Sequence, residues 1–159
     1  MSPTREQLLK TAKAYLDAHE KRDINALRAV YSLACKHHNF PEPVKPIFPD
    51  VSFEGYLVGV ADLFKIWHSF ECRQFAEPVV DSEARKVVLF IEGKGEADVG
   101  TYVNEYVVVL MMNEAGTLIE ERLQFFDSQG LLTWVARMGQ QAQDLQDKVK
   151  DSKAEKMEA

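Results

Sequence analysis

Two cysteines, Cys35 and Cys72, are all the thiol chemistry in this 159-residue chain. They are too few for a disulfide framework, and neither stands in a CxxC pair of the kind that holds zinc. No apolar run approaches the ~20 residues that a membrane-spanning helix needs, so no membrane partner is expected. Positive charge is also scarce: 19 Lys and Arg face 25 Asp and Glu, a formal charge of −6. That balance argues against nucleic acid as a partner, which asks for a basic face. A capped helix begins at once, with none of the apolar core of a secretory leader, and a cytoplasmic protein is expected. There is no internal repeat and no HExxH. Gly93-Lys94-Gly95 lacks the strand-to-helix setting of a phosphate loop.

What remains is an ordinary globular composition, 46% hydrophobic and 28% charged, at a length that suits one domain with a real core. Thr4 followed by Gln7 is a capping-box signal, and Leu8, Ala12, Tyr15, Leu16 and His19 recur at helical spacing; they predict a helix over 5–20. Asp23 caps a second, short helix with Ile24, Leu27, Val30 and Tyr31 inward. The stretch 35–50 carries four prolines, which deny amide donors and fix φ, and it reads as a long loop. A third helix resumes at Gly59, with Val60, Leu63, Phe64, Trp67 and Phe70 on one face. Period-two runs then predict strands over 74–81, 86–94, 101–112 and 117–126, and a closing helix bears Leu131, Leu132, Val135 and Met138. The domain is expected to span 1–140, with 141–159 a polar tail, a frayed helix end running into a disordered terminus. Short turns make the sheet antiparallel. The fold class is therefore α+β, a cone of strongly curved antiparallel sheet wrapped around N-terminal helices.

The run 101–112 is the most informative. Alternation puts Tyr102, Asn104, Tyr106, Val108 and Leu110 on one face, two phenols and an amide at one end and hydrocarbon at the other. A concave small-molecule site is built that way. The tyrosines' Cα atoms lie about 13 Å apart along an ideal strand, so they are expected to grip opposite ends of a ligand. Packing alone also accounts for tyrosines on a pleated face.

Gly100-Thr101-Tyr102-Val103-Asn104-Glu105-Tyr106 matches a Gly-x-Tyr-x-Asn-Glu-Tyr signature, and the strand ending Gln124-Phe125-Phe126-Asp127-Ser128 is similar to one ending Glu-Phe-Val-Asp-Ser. Together with the element order over 4–138, these residues resemble the SnoaL-like branch of the nuclear transport factor 2-like superfamily, in particular its small fungal members from secondary-metabolite pathways. The resemblance implies a SnoaL-like (cystatin-like) α+β barrel that often dimerises, and a cofactor-independent isomerase or cyclase acting on a reactive polyketide, terpenoid or alkaloid intermediate. It puts Tyr102 and Tyr106 in the pocket. It also implies an acid on the last strand, where Gln124 stands, and an arginine in 34–40, where Lys36, His37 and His38 stand. Gln124 can position a group but cannot serve as a base.

The candidate catalytic residues are therefore Tyr102, Tyr106, Gln124 and His38, with His37, Lys36, Asn104, Trp67 and Phe126 as substrate contacts. Glu105 and Asp127 read as structural, pairing with an arginine or capping the last helix. No metal or cofactor is expected: His68 and Cys72, at i,i+4 on the third helix, and Cys35 read as ordinary packing. The expected partners are a small-molecule substrate and a second copy of the chain. A non-catalytic binding protein for a reactive ligand is the alternative of a different class, and a protein–protein scaffold a further one.

Overall fold

The computed structural model describes residues 2–158 and has the expected α+β class, with the elements in the order α1 (Arg5–Glu20), α2 (Ile24–Val30), β1 (Tyr31–Phe40), α3 (Phe53–Ile66), β2 (Ser69–Gln74), β3 (Val79–Asp81), β4 (Lys86–Ala97), β5 (Gly100–Met112), β6 (Ile119–Phe126) and α4 (Ser128–Glu158). The N-terminal caps behave as their chemistry dictates. The Thr4 hydroxyl accepts from the Gln7 amide at 3.1 Å and the Asp23 carboxylate from the Ala26 amide at 2.9 Å, each worth about 1 kcal/mol.

One curved sheet carries the strands in the order β1-β6-β5-β4-β2, with β3 also paired to β4. The long β4–β5 hairpin and its neighbour β6 are antiparallel, as short turns require, but β1 runs parallel to β6. Residues 31–40, read as the end of a helix and the start of a loop, are thus an edge strand, and the sheet is mixed rather than purely antiparallel. The physical reason is a register shift between Tyr31 and Lys36, which breaks the period-two pattern. A parallel partner far along the chain leaves no hairpin signal either.

Three further boundaries differ. Ser52, accepting from the Gly55 amide, caps α3 before Gly59, and α3 ends at Ile66 with Trp67 as its C-cap. His68 and Cys72 are therefore not one helical turn apart. The strand expected over 74–81 is two short strands, β2 and β3, on opposite ends of β4. Finally, α4 runs on as helix from the expected closing helix into the polar tail, with Leu145 and Val149 exposed.

Helices α1, α2 and α3 pack into the concave side of the sheet, with Leu8, Leu16, Leu27, Leu57, Leu89 and Leu110 among the buried side chains. A second cluster, Val44, Trp67, Tyr102, Leu131 and Trp134, forms where α4 and the proline-rich segment meet the sheet. Between the two clusters lies a cavity. Among the described residues no helix is long and apolar enough to cross a membrane.

Candidate active site

The cavity has a volume of about 340 Å³, in the range of small-molecule sites. Its walls are mostly hydrocarbon and aromatic, among them Leu63, Phe64, Trp67, Phe126, Trp134 and Met138. Polar groups enter at few places: the phenols of Tyr15, Tyr56, Tyr102 and Tyr106, the imidazole of His19, the amides of Asn39 and Gln124, the thiol of Cys72 and the guanidinium of Arg122. No carboxylate lies in the described lining.

At one end, β5 presents Tyr102 and Tyr106. Their hydroxyls are 2.7 Å apart, so the two phenols converge on one point instead of gripping opposite ends of a ligand. The curved strand and the reach of a phenol ring along it close the distance that Cα spacing implied. One hydroxyl of the pair donates to the other, and the second proton is left for a ligand acceptor. Burial raises both phenol pKa values, so both remain proton donors. The aromatic wall around them depends on two glycines. A Cβ at Gly93 would stand 2.8 Å from the Tyr106 ring, and one at Gly95 only 2.5 Å from the Trp67 ring. The rings of Trp67 and Trp134 stack at 5.1 Å, and Tyr102 packs against both. Phe126 closes the same end against Tyr106 and against Phe48 of the proline-rich segment.

At the other end stands Arg122 on β6, 4% exposed. Its Nη2 donates to Gln124 Oε1 at 2.6 Å, while Nε and Nη1 have no partner within the protein. The guanidinium carbon lies 4.8 Å from the centre of the Tyr56 ring, a cation–π contact. Tyr56 in turn bonds to His19, whose Nδ1 meets the Tyr15 carbonyl at 2.8 Å. A carbonyl only accepts, so Nδ1 carries the proton and Nε2 accepts from the Tyr56 hydroxyl at 3.0 Å. Burial lowers the His19 pKa to about 4, against the Tyr15 carbonyl, which raises it. The imidazole is therefore neutral at physiological pH and able to accept a proton relayed by Tyr56.

Of the residues singled out in the sequence, Trp67, Tyr102, Tyr106, Gln124 and Phe126 meet in this cavity. Four others do not line it. His38 faces the carboxylates of Asp50 and Glu121 at 3.3 and 3.1 Å, and Lys36 is exposed. His37 is buried behind the wall, its ring stacked on Tyr56 at 4.0 Å with both nitrogens unpartnered; burial lowers its pKa to about 3. Asn104 spends both ends of its amide on the backbone of Asp127, and Asp127 accepts from the Gly130 amide to cap α4, as expected. Tyr15, His19, Asn39, Tyr56, Arg122 and Trp134 went unselected. Arg122 carried a usable signal, since it shares with Gln124 and Phe126 the strand parity that sends them inward. Tyr15 and His19 were legible only as a buried helix face. Among the described residues, no three His, Cys, Asp or Glu side chains cluster as a metal site would require.

A curved sheet and three helices enclosing an apolar cavity with a few convergent polar groups define the SnoaL-like class of the nuclear transport factor 2-like fold. Solved SnoaL-like polyketide cyclases share it at the level of fold alone, one from Shewanella denitrificans at TM-score 0.66 and 11% identity, covering 81% of this chain and 96% of that one. No protein-family model matches the chain. "Austinoid biosynthesis clusters protein H" of Penicillium brasilianum is 40% identical over 138 residues, 84% of this chain and 92% of that protein. AusH from Aspergillus nidulans, a solved structure, is 37% identical at TM-score 0.72, covering 79% of this chain and 87% of that one. The pinacolase BvnE from Penicillium brevicompactum is 28% identical at TM-score 0.81, covering 87% and 98%. The chain belongs to the fungal family of the austinoid biosynthesis cluster proteins H, and it shares the fold of the SnoaL-like cyclases.

Proposed function

We propose that the protein is a cofactor-independent isomerase or cyclase of secondary metabolism, rearranging a reactive, largely apolar intermediate inside this cavity. The relatives are proteins of austinoid biosynthesis clusters, and a structural neighbour is a pinacolase. The observation that carries the reading is an aromatic and aliphatic chamber in which hydrogen-bond donors stand at two separate places, the Tyr102–Tyr106 pair and the Arg122–Gln124 pair. Two fixed donors hold two oxygens of one skeleton, and orientation supplies much of the acceleration when the substrate is already reactive. Aromatic faces accommodate positive charge that develops on migrating carbon. The free phenol proton steadies a carbonyl or a developing alkoxide. An isomerisation returns any proton it takes, and Tyr56 backed by neutral His19 accepts and returns one from within the cavity. His38, outside the wall, has no such access.

The lack of a carboxylate in the lining supports a second reading, a binding protein that shields its ligand. Incubating the protein with an extract of host metabolites, with thermal shift and mass spectrometry, separates the two. A ligand that stabilises the fold and changes retention at constant mass supports the isomerase. A ligand returned unchanged supports the binding protein. The variant carrying both Tyr102→Phe and Tyr106→Phe is expected to lose turnover with little change in melting temperature, and full turnover in it would refute the assignment.

A further inference from the structure

Arg122 is a buried cation for which the protein supplies no anion. The titratable side chains packed about it are the phenols of Tyr15, Tyr31 and Tyr56, all driven by burial towards the neutral form. His19 and His37 are likewise neutral. The carboxylates of its own strand point elsewhere: Glu121 faces His38 and Glu120 is exposed. Leaving one partner of a buried pair uncompensated costs several kcal/mol. A fold that keeps such a charge on a cavity wall has a use for it.

Gln124 sharpens the point. A guanidinium only donates, so the 2.6 Å contact fixes the Gln124 amide with its oxygen on Arg122 and its NH2 free to donate. A glutamate, the acid that the sequence resemblance implies at this position, would neutralise Arg122 from within. Glutamine satisfies one hydrogen bond and leaves the charge.

We infer that the ligand of this cavity carries a delocalised oxyanion, a carboxylate or the enolate of a dicarbonyl, on an otherwise apolar skeleton, with Arg122 as its counter-ion and the Gln124 amide as a second donor. The inference rests on reading the cavity as the ligand site and adds the chemical class of what enters it. A planar delocalised anion matches the planar guanidinium, which lines the cavity; its Nε and Nη1 are enclosed by protein and find no partner there. The Tyr102–Tyr106 pair, at the far end, then holds a neutral oxygen of the same skeleton.

The test uses small probes, read by thermal shift and calorimetry on the whole protein. Cyclohexanecarboxylate represents the carboxylate and dimedone, ionised at neutral pH, the enolate. Cyclohexanecarboxamide and cyclohexanone are their uncharged counterparts. At least one anion is expected to bind about tenfold or more tightly than its neutral counterpart, and which one does so identifies the source of the charge. Gln124→Glu places a carboxylate against Arg122 and is expected to raise the melting temperature while abolishing the anion preference. Arg122→Met is expected to abolish the preference while remaining folded. Equal binding of anion and neutral isostere, no binding of either anion at millimolar concentration, or an anion preference that survives Gln124→Glu would overturn the inference. Mass-neutral turnover of a neutral metabolite with no anion preference would keep the isomerase and discard the oxyanion. Anion binding without turnover would do the reverse.

Discussion

Lowering the pH from 7 to 4 is expected to remove several kcal/mol of stability through two buried histidines alone. His37 is 1% exposed, with neither ring nitrogen hydrogen-bonded, and burial lowers its pKa to about 3. His19 sits near 4 for the same reason. In the unfolded chain both return to about 6.5. A histidine held neutral in the fold binds fewer protons than its unfolded form, so folding stability rises with pH between the two values. It is fully present above 6.5 and drains away as the pH falls towards the folded value. At pH 4 each such group withholds roughly 3 kcal/mol; His19, whose ring partly faces the cavity, accounts for the smaller share. Against a typical total of about 5–15 kcal/mol that loss is decisive. Urea unfolding at pH 7, 5.5 and 4, with a constant m-value, measures it. His37→Phe keeps an aromatic ring on Tyr56, removes two unsatisfied nitrogens and removes the titration. It is expected to match or exceed the wild type at pH 7 and to lose about half as much stability at pH 4. A wild type equally stable at both pH values, or a His37→Phe variant with the wild-type slope, would refute the reasoning.

Two other outcomes follow from packing. Gly95→Ala drives a methyl into the Trp67 ring and is expected to cost about 1–3 kcal/mol, the usual penalty of overpacking, and to weaken ligand binding as the indole is pushed into the cavity. Gly139→Ala, with nothing near its Cβ position on exposed α4, is expected to gain up to about 1 kcal/mol; both are read from thermal melts. We also propose that the protein is a homodimer through the convex face of the sheet. There the cross-strand rows Phe90–Val107–Phe125 and Val88–Val109–Leu123 lie side by side, and α4 leaves them uncovered because Trp134 packs on the opposite face, against Tyr102. Light scattering at micromolar concentration should give twice the chain mass, and Val109→Arg should halve it; a monomeric wild type would remove the proposal.

How far the sequence revealed this depended on the range of each interaction. The β4–β5 hairpin was legible because every signal that specifies it is local: alternation, a short turn, and β-branched residues on both arms. Tyr102 and Tyr106 were placed on the right face by the same alternation. Their 2.7 Å contact was not visible, since it depends on strand curvature that Cα spacing ignores. β1 was lost because its partner, β6, is more than eighty residues away in the chain and pairs in parallel.

The departures from the family pattern look different once β1 is in place. No arginine stands in residues 34–40, yet the parallel register sets His37 directly beside Arg122 and Asn39 beside Gln124. A guanidinium is thus delivered from β6, next to the strand where the pattern would have put one. The same strand carries glutamine in place of the acid, and the two changes belong together. An arginine on β1 facing a glutamate on β6 would form an ion pair across the ladder. An arginine on β6 two residues from a glutamine leaves its charge to the cavity. Read singly, each substitution looks like lost chemistry. Read through the register, they move one positive charge and delete one negative charge, and on the function proposed above the acid–base position of the pattern serves as an anion site while proton transfer falls to Tyr56 and His19.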